Sequence, residues 1–125
     1  MTTIEPYGSW VSPITSDRIV ESTIRLMDVV FDGDDICWLE ARPQEGGRSI
    51  IVRQTPDGAT RDLADAPWNI RTRVHEYGGG SFLATNGDII GSNFEDQRLY
   101  RFKPDKSPQA ITKEGAFRYA DAISD

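Results

Sequence analysis

Cysteine and histidine are nearly absent from this chain of 125 residues: Cys37 and His75 are the single examples of each. A lone cysteine forms no internal disulfide, which accords with a reducing compartment. Its neighbours Ile36, Trp38 and Leu39 read as those of a buried small hydrophobe rather than a nucleophile. One His and one Cys far apart are too thin a ligand set for zinc or iron, and no cofactor is expected. Long apolar runs are missing too, so no membrane partner is expected; the opening Met1-Thr2-Thr3-Ile4-Glu5 lacks the basic start and apolar stretch of a secretory signal. These absences give the expectation of a cytoplasmic protein. Lys and Arg total 14 against 20 Asp and Glu, a formal net charge of -6. No basic cluster overrides that field, so nucleic acid is not an expected partner.

What is present argues for a packed fold. The apolar fraction is 38% and the aromatic fraction 10%, including Trp10, Trp38 and Trp68, which read as core or inter-blade anchors. A carbohydrate-stacking role for Trp68, after Pro67, is the alternative. The length suits one domain, whole or partial. Turn signals recur at Asp32-Gly33, Gly46-Gly47, Pro56-Asp57-Gly58, Asn86-Gly87 and Pro104-Asp105-Lys106. Between them, Ile24 to Phe31, Asp35 to Ala41, Arg48 to Gln54, Gly80 to Ala84, Asp88 to Asn93 and Gln97 to Phe102 read as strands. Ser16 to Met27 has some helical character, opposed by the β-branched Ile19, Val20, Thr23 and Ile24. Consecutive apolar residues at Ile36 to Leu39 and Ile50 to Val52 point to sheets covered on both faces.

The chain also repeats itself. Ile50 to Gly58 aligns with Arg98 to Lys106 at an offset of 48, matching Arg53 with Arg101 and Pro56-Asp57 with Pro104-Asp105, and carrying Leu63 onto Ile111. Upstream, Asp32-Gly33 followed by Ile36 answers Asn86-Gly87 followed by Ile89, once an extra loop around Pro43 to Gly47 is allowed. Phe117-Arg118-Tyr119-Ala120-Asp121 resembles His75-Glu76-Tyr77-Gly78-Gly79, as though a third copy were starting. A unit of about 40 to 50 residues with four short strands is a propeller blade. The expected fold is therefore all-β: a partial β-propeller of about two four-stranded antiparallel blades, near 21–70 and 71–115, a third starting near 117, and a segment 1–20 that packs on the rest of a larger protein. Such an open stack exposes faces a closed ring buries, so the isolated chain is expected to self-associate.

The run Arg71-Thr72-Arg73-Val74-His75-Glu76-Tyr77-Gly78-Gly79-Gly80 resembles a segment of the propellers of acylaminoacyl-peptidase and dipeptidyl-aminopeptidase-like members of the prolyl oligopeptidase family. Tyr7-Gly8-Ser9-Trp10, Ser12-Pro13-Ile14-Thr15, Trp38-Leu39-Glu40 with Gly46-Gly47-Arg48, and Ser92-Asn93-Phe94 with Gln97 to Tyr100 join it in the family's order. The resemblance implies a parent serine peptidase whose propeller gates peptide substrates and packs on an α/β-hydrolase domain and on further blades. The hydrolase part has no counterpart in this sequence, and a stand-alone β-rich module that binds a peptide or protein is the competing reading.

The residues agree that catalysis is not built from this stretch. No G-x-S-x-G turn occurs; Gly91-Ser92-Asn93 lacks the second glycine, and His75 precedes every serine from Ser81 onward. His75 is expected instead in a strand with Glu76 and Tyr77 on opposite faces, or, with Arg73, lining a substrate channel or domain boundary. Arg73, His75, Glu76 and Tyr77 are thus the candidate channel or inter-domain residues. Gly78-Gly79-Gly80 does not fit a phosphate-binding G-x-G-x-x-G and is expected to serve close backbone packing or a bulge. Asp32, Asp34 and Asp35 lack EF-hand spacing and read as a solvated turn rather than a calcium site.

Overall fold

The computed structural model describes residues 4–16, 18 and 23–125. Strands β1 (Arg25–Asp32), β2 (Asp35–Arg42), β3 (Arg48–Gln54) and β4 (Thr60–Asp62) form one sheet in the order β1-β2-β3-β4. Strands β5 (Phe82–Thr85), β6 (Asp88–Ser92), β7 (Leu99–Lys103) and β8 (Lys106–Ala110) form a second, in the order β5-β6-β7-β8. Every pairing is antiparallel. Each sheet is a propeller blade, and the architecture is all-β. Of the helical reading over Ser16 to Met27, residues 17 and 19–22 lie outside the described residues, and Arg25 to Met27 belong to β1.

The repeat reappears as hydrogen bonds. Leu63 N donates to Ile51 O at 3.0 Å, and Ile111 N donates to Leu99 O at 2.9 Å, each partner displaced by the same 48 positions. Arg53 Nε donates to Asp35 Oδ2 at 2.5 Å in the first blade; Arg101 Nε lies 3.6 Å from Asp88 Oδ1 in the second. The extra loop at Pro43 to Gly47 is a 3-10 turn over Pro43–Glu45 closed by Gly46, which lengthens the β2-β3 hairpin.

The outer strands β4 and β8 were not apparent from the sequence because both are polar and short. β4 is exposed throughout, and β8 carries Pro108, which a strand tolerates at a sheet edge, where one row of amides has no partner. The expected third start at Phe117 to Asp125 forms no strand. Instead Asp121 N donates to Gly80 O at 2.9 Å, so the segment lies along the entry to β5.

A single core joins the blades: Cys37, Leu39, Ile50, Ile51, Ile70, Ile89 and Phe102 are all at most 1% exposed. Burial pushes the Cys37 thiol up, in keeping with its reading as a core residue. Trp68 stacks edge-on against Tyr100 and Phe102, at centroid distances of 4.7 and 5.7 Å, and so anchors core as expected. Trp10 does not: it is 62% exposed, and the bonds of the described amino-terminal residues are local, as in Ser9 Oγ to Pro6 O at 2.7 Å.

Polar contacts register the two blades at both ends. Ile70 N donates to Ser49 O at 2.7 Å and Arg71 N to Ser92 O at 2.9 Å, so the connecting segment is bonded to β3 and β6. At the opposite end the buried Asp32 carboxylate accepts from Gly87 N at 3.1 and 2.9 Å. Asn86 and Gly87 both hold positive φ, the geometry of a two-residue hairpin turn, which turns that amide toward the neighbouring blade. The three aspartates are therefore not simply a solvated turn: Asp32 ties the blades and Asp35 pairs with Arg53.

Candidate functional site

The segment Arg73 to Gly80 lies between the blades and leads into β5. The strand expected around His75 is replaced by a 3-10 turn over Val74–Glu76. Thr72, only 1% exposed, starts it: its Oγ1 accepts from Val74 N at 3.3 Å. Glu76 N then donates to Arg73 O at 3.0 Å, and Gly78 N to Val74 O at 3.0 Å. His75 and Glu76 both take positive φ, 52° and 60°, a conformation that costs non-glycine residues free energy and persists where surrounding bonds impose it. One consequence is that His75, Glu76 and Tyr77 all face outward, Tyr77 being 97% exposed, rather than alternating across a sheet.

Two neighbours hold the turn. Gln97, itself 8% exposed, accepts from Arg73 N through Oε1 at 2.7 Å and donates through Nε2 to Phe94 O at 2.8 Å. Arg118 donates to Arg73 O at 2.9 Å and forms an ion pair with Glu76. The hydrogen bond and charge of Arg118 hold the Glu76 carboxyl below the usual carboxylate range. Arg73 adds a looser contact, 3.6 Å from Glu76 Oε2, and its guanidinium stacks over Phe94 at 5.9 Å. The structure thus brings Arg73 and Glu76 into one charged cluster, while His75 and Tyr77 stand apart from it.

Arg118 was visible in the sequence only as the counterpart of Glu76 in the internal comparison. The unread signal was the opposite charge at matching positions of successive copies. Gln97 and Phe94 lie in one of the stretches that carry the family resemblance, without any indication in the sequence that they buttress the turn. The glycine run behaves as expected: a Cβ on Gly79 would stand 2.9 Å from Ala120 Cβ, and one on Gly80 would stand 2.9 Å from Asp121 Oδ1.

Chemically, the cluster offers charge and shape. His75 makes no hydrogen bond among the described residues, so nothing fixes its imidazole as a general base. The arrangement is an outward-facing, charged turn tied down by Gln97 and Arg118.

No family model matches the sequence, and no curated protein does. Solved structures do match. A puromycin-hydrolyzing peptidase of Mycobacterium tuberculosis is similar at 39% identity and a TM-score of 0.87, over 98% of this chain and 20% of that one. A puromycin hydrolase is similar at 35% identity and a TM-score of 0.84, over 98% and 21%. A mutant of puromycin hydrolase complexed with PGG matches at 36% and 0.83, over 96% and 20%. The chain spans about a fifth of the length of these relatives. With two blades, an internal repeat in register and this likeness along nearly its whole length, the chain belongs to the prolyl oligopeptidase family as a length of its β-propeller.

Proposed function

We propose that this length of propeller gates the entry of peptide substrates to a serine-peptidase centre carried by an α/β-hydrolase domain of the same protein. Its outward turn, Arg73 to Tyr77, faces the channel or that domain. The observation that carries the reading is the likeness to two puromycin-hydrolyzing peptidases over 98% of this chain. The turn itself supports it. Backbone strain at His75 and Glu76, held by Gln97 and Arg118, keeps a fully exposed tyrosine in place. Strain of this kind collects at contact sites rather than in inert connections.

The reading includes a substrate class: small amides and short peptides, hydrolysed near a free or acylated amino end, with puromycin as the first compound to try. A cytoplasmic site of action belongs to the same proposal. The test uses the complete protein with Tyr77→Ala and with Glu76→Gln, measuring kcat/KM for puromycin and for a longer peptide. Gating predicts that the ratio of the two changes at least about threefold, since only access differs between them. An unchanged ratio with unchanged turnover removes the channel role. Stoichiometric labelling of this chain alone by a fluorophosphonate would instead show that it carries its own nucleophile.

A further inference from the structure

Eleven arginines are described, and nine of them form a guanidinium hydrogen bond or ion pair with a carboxylate or a carbonyl oxygen, those of Arg61, Arg73 and Arg101 being ion pairs at 3.6 Å. The two exceptions are Arg25 and Arg71, which make no side-chain hydrogen bond or ion pair. Both line the same cavity of about 370 Å³ between the first blade and the segment that connects it to the second, along with Met27, Ser49, Tyr77 and Gly79. In a chain of net charge -6, two cations in one cavity without a counter-ion stand out. Arg71 is also positioned for use. Its guanidinium carbon lies over the Phe94 ring at 5.3 Å, a cation–π contact that leaves its N–H groups without a hydrogen-bond partner among the described residues. Another cavity, of about 410 Å³, is lined mainly by acidic charge, with Asp62, Asp65 and Asp105 beside Lys106.

We propose that the cavity between the first blade and the connecting segment is a carboxylate-binding site, in which Arg25 and Arg71 hold the carboxylate of an acidic peptide. A guanidinium presents paired N–H donors that match the two oxygens of a carboxylate, and an apolar wall such as Met27 lowers competition from water. The inference does not rest on the peptidase reading, since the cavity lies within this chain whatever reaction the complete protein performs.

The test is a titration of the chain with acetyl-Glu-Glu-amide and its neutral twin acetyl-Gln-Gln-amide, followed by NMR. The expected result is saturable shifts at the Arg25 and Arg71 Nε–H groups and the Gly78 and Gly79 amides. The acidic peptide should bind at least about tenfold more tightly than its twin, a difference that higher ionic strength narrows. Arg25→Gln and Arg71→Gln should each weaken binding by about tenfold, whereas Arg61→Gln, remote from the cavity, should not. A second arm locates the source of the carboxylate: in the complete protein, side-chain signals already at their bound positions without peptide would assign it to an acidic residue of the same polypeptide. Equal response to both peptides, unaltered binding by the two variants, or shifts centred on Asp62 and Asp105 would overturn the proposal.

Discussion

At the scale of single residues, steric room decides more than chemical type. Gly91 occupies β6 with an ordinary backbone conformation, so conformational freedom is not why glycine stands there. A Cβ would meet Ile70 Cγ2 and Phe102 Cε2 at 3.1 Å and Ile51 Cδ1 at 3.3 Å, all tighter than ordinary contact and all in the core. Gly91→Ala is therefore expected to destabilise by about 1–3 kcal/mol, through overpacking; urea unfolding checks it, and an unchanged midpoint would show that the core yields. The sequence placed Gly91 in a strand and in a failed nucleophile motif but gave no sign of the crowding around it, since a crowded backbone leaves no compositional trace. It was more informative for Cys37, whose apolar neighbours forecast its burial. It misled for His75, because nothing in Arg73-Val74-His75-Glu76 announces two successive positive φ angles; that conformation is imposed by Gln97 and Arg118 from elsewhere in the chain.

At the scale of elements, inner strands were legible and outer ones were not. β2 and β3 carry the apolar runs that burial on both faces requires, so their expected bounds fell within a residue of those observed. β4 and β8 are fixed by pairing to a neighbour, which polar sequence cannot express. The loop before β7 is held by another pair that sequence leaves silent. The Tyr100 hydroxyl donates to Asp96 Oδ2 at 2.5 Å, while Asn93 Nδ2 and Arg98 N donate to Oδ1 at 3.0 and 3.2 Å. Burial pushes the Asp96 carboxyl up, but these bonds outweigh it and the net shift is downward. The same bond, helped by burial, raises Tyr100 above its usual range. A lowered carboxyl stabilises the fold above its unfolded value, about pH 4, and that contribution fades as pH falls. A raised phenol stabilises below its unfolded value, about pH 10, and that contribution fades as pH rises through the folded one. Tyr100→Phe is thus expected to melt earlier than the parent at neutral pH, with the gap closing at both extremes. Thermal melts across pH check this, and a gap independent of pH would count against it.

At the scale of the whole molecule, the two blades cover each other on one side only. The outer face of β1 presents Leu26, Val29 and Phe31 at 62%, 62% and 73% exposure, beside a bulge between Met27 and Val30. Apolar side chains in a row on a sheet seek a covering surface. The isolated chain is accordingly expected to self-associate, by analytical ultracentrifugation, and Leu26→Lys with Phe31→Lys is expected to shift it toward monomer. A parent sample that stays monomeric at high concentration would show that the face tolerates water. Strand order carries one more consequence. Both sheets pair strands strictly in the order of synthesis, so neither sheet waits for a strand from elsewhere in the chain to complete its ladder. The four strands of the first blade are all available for pairing once Asp62 has left the exit tunnel, and Leu63 and Ile70 then add the last backbone bonds to β3. Short sequence separations close quickly, so the first sheet can pair its strands before the second is made, and Gly87, in the first hairpin turn of the second blade, fastens the two together while β6, β7 and β8 are still to come.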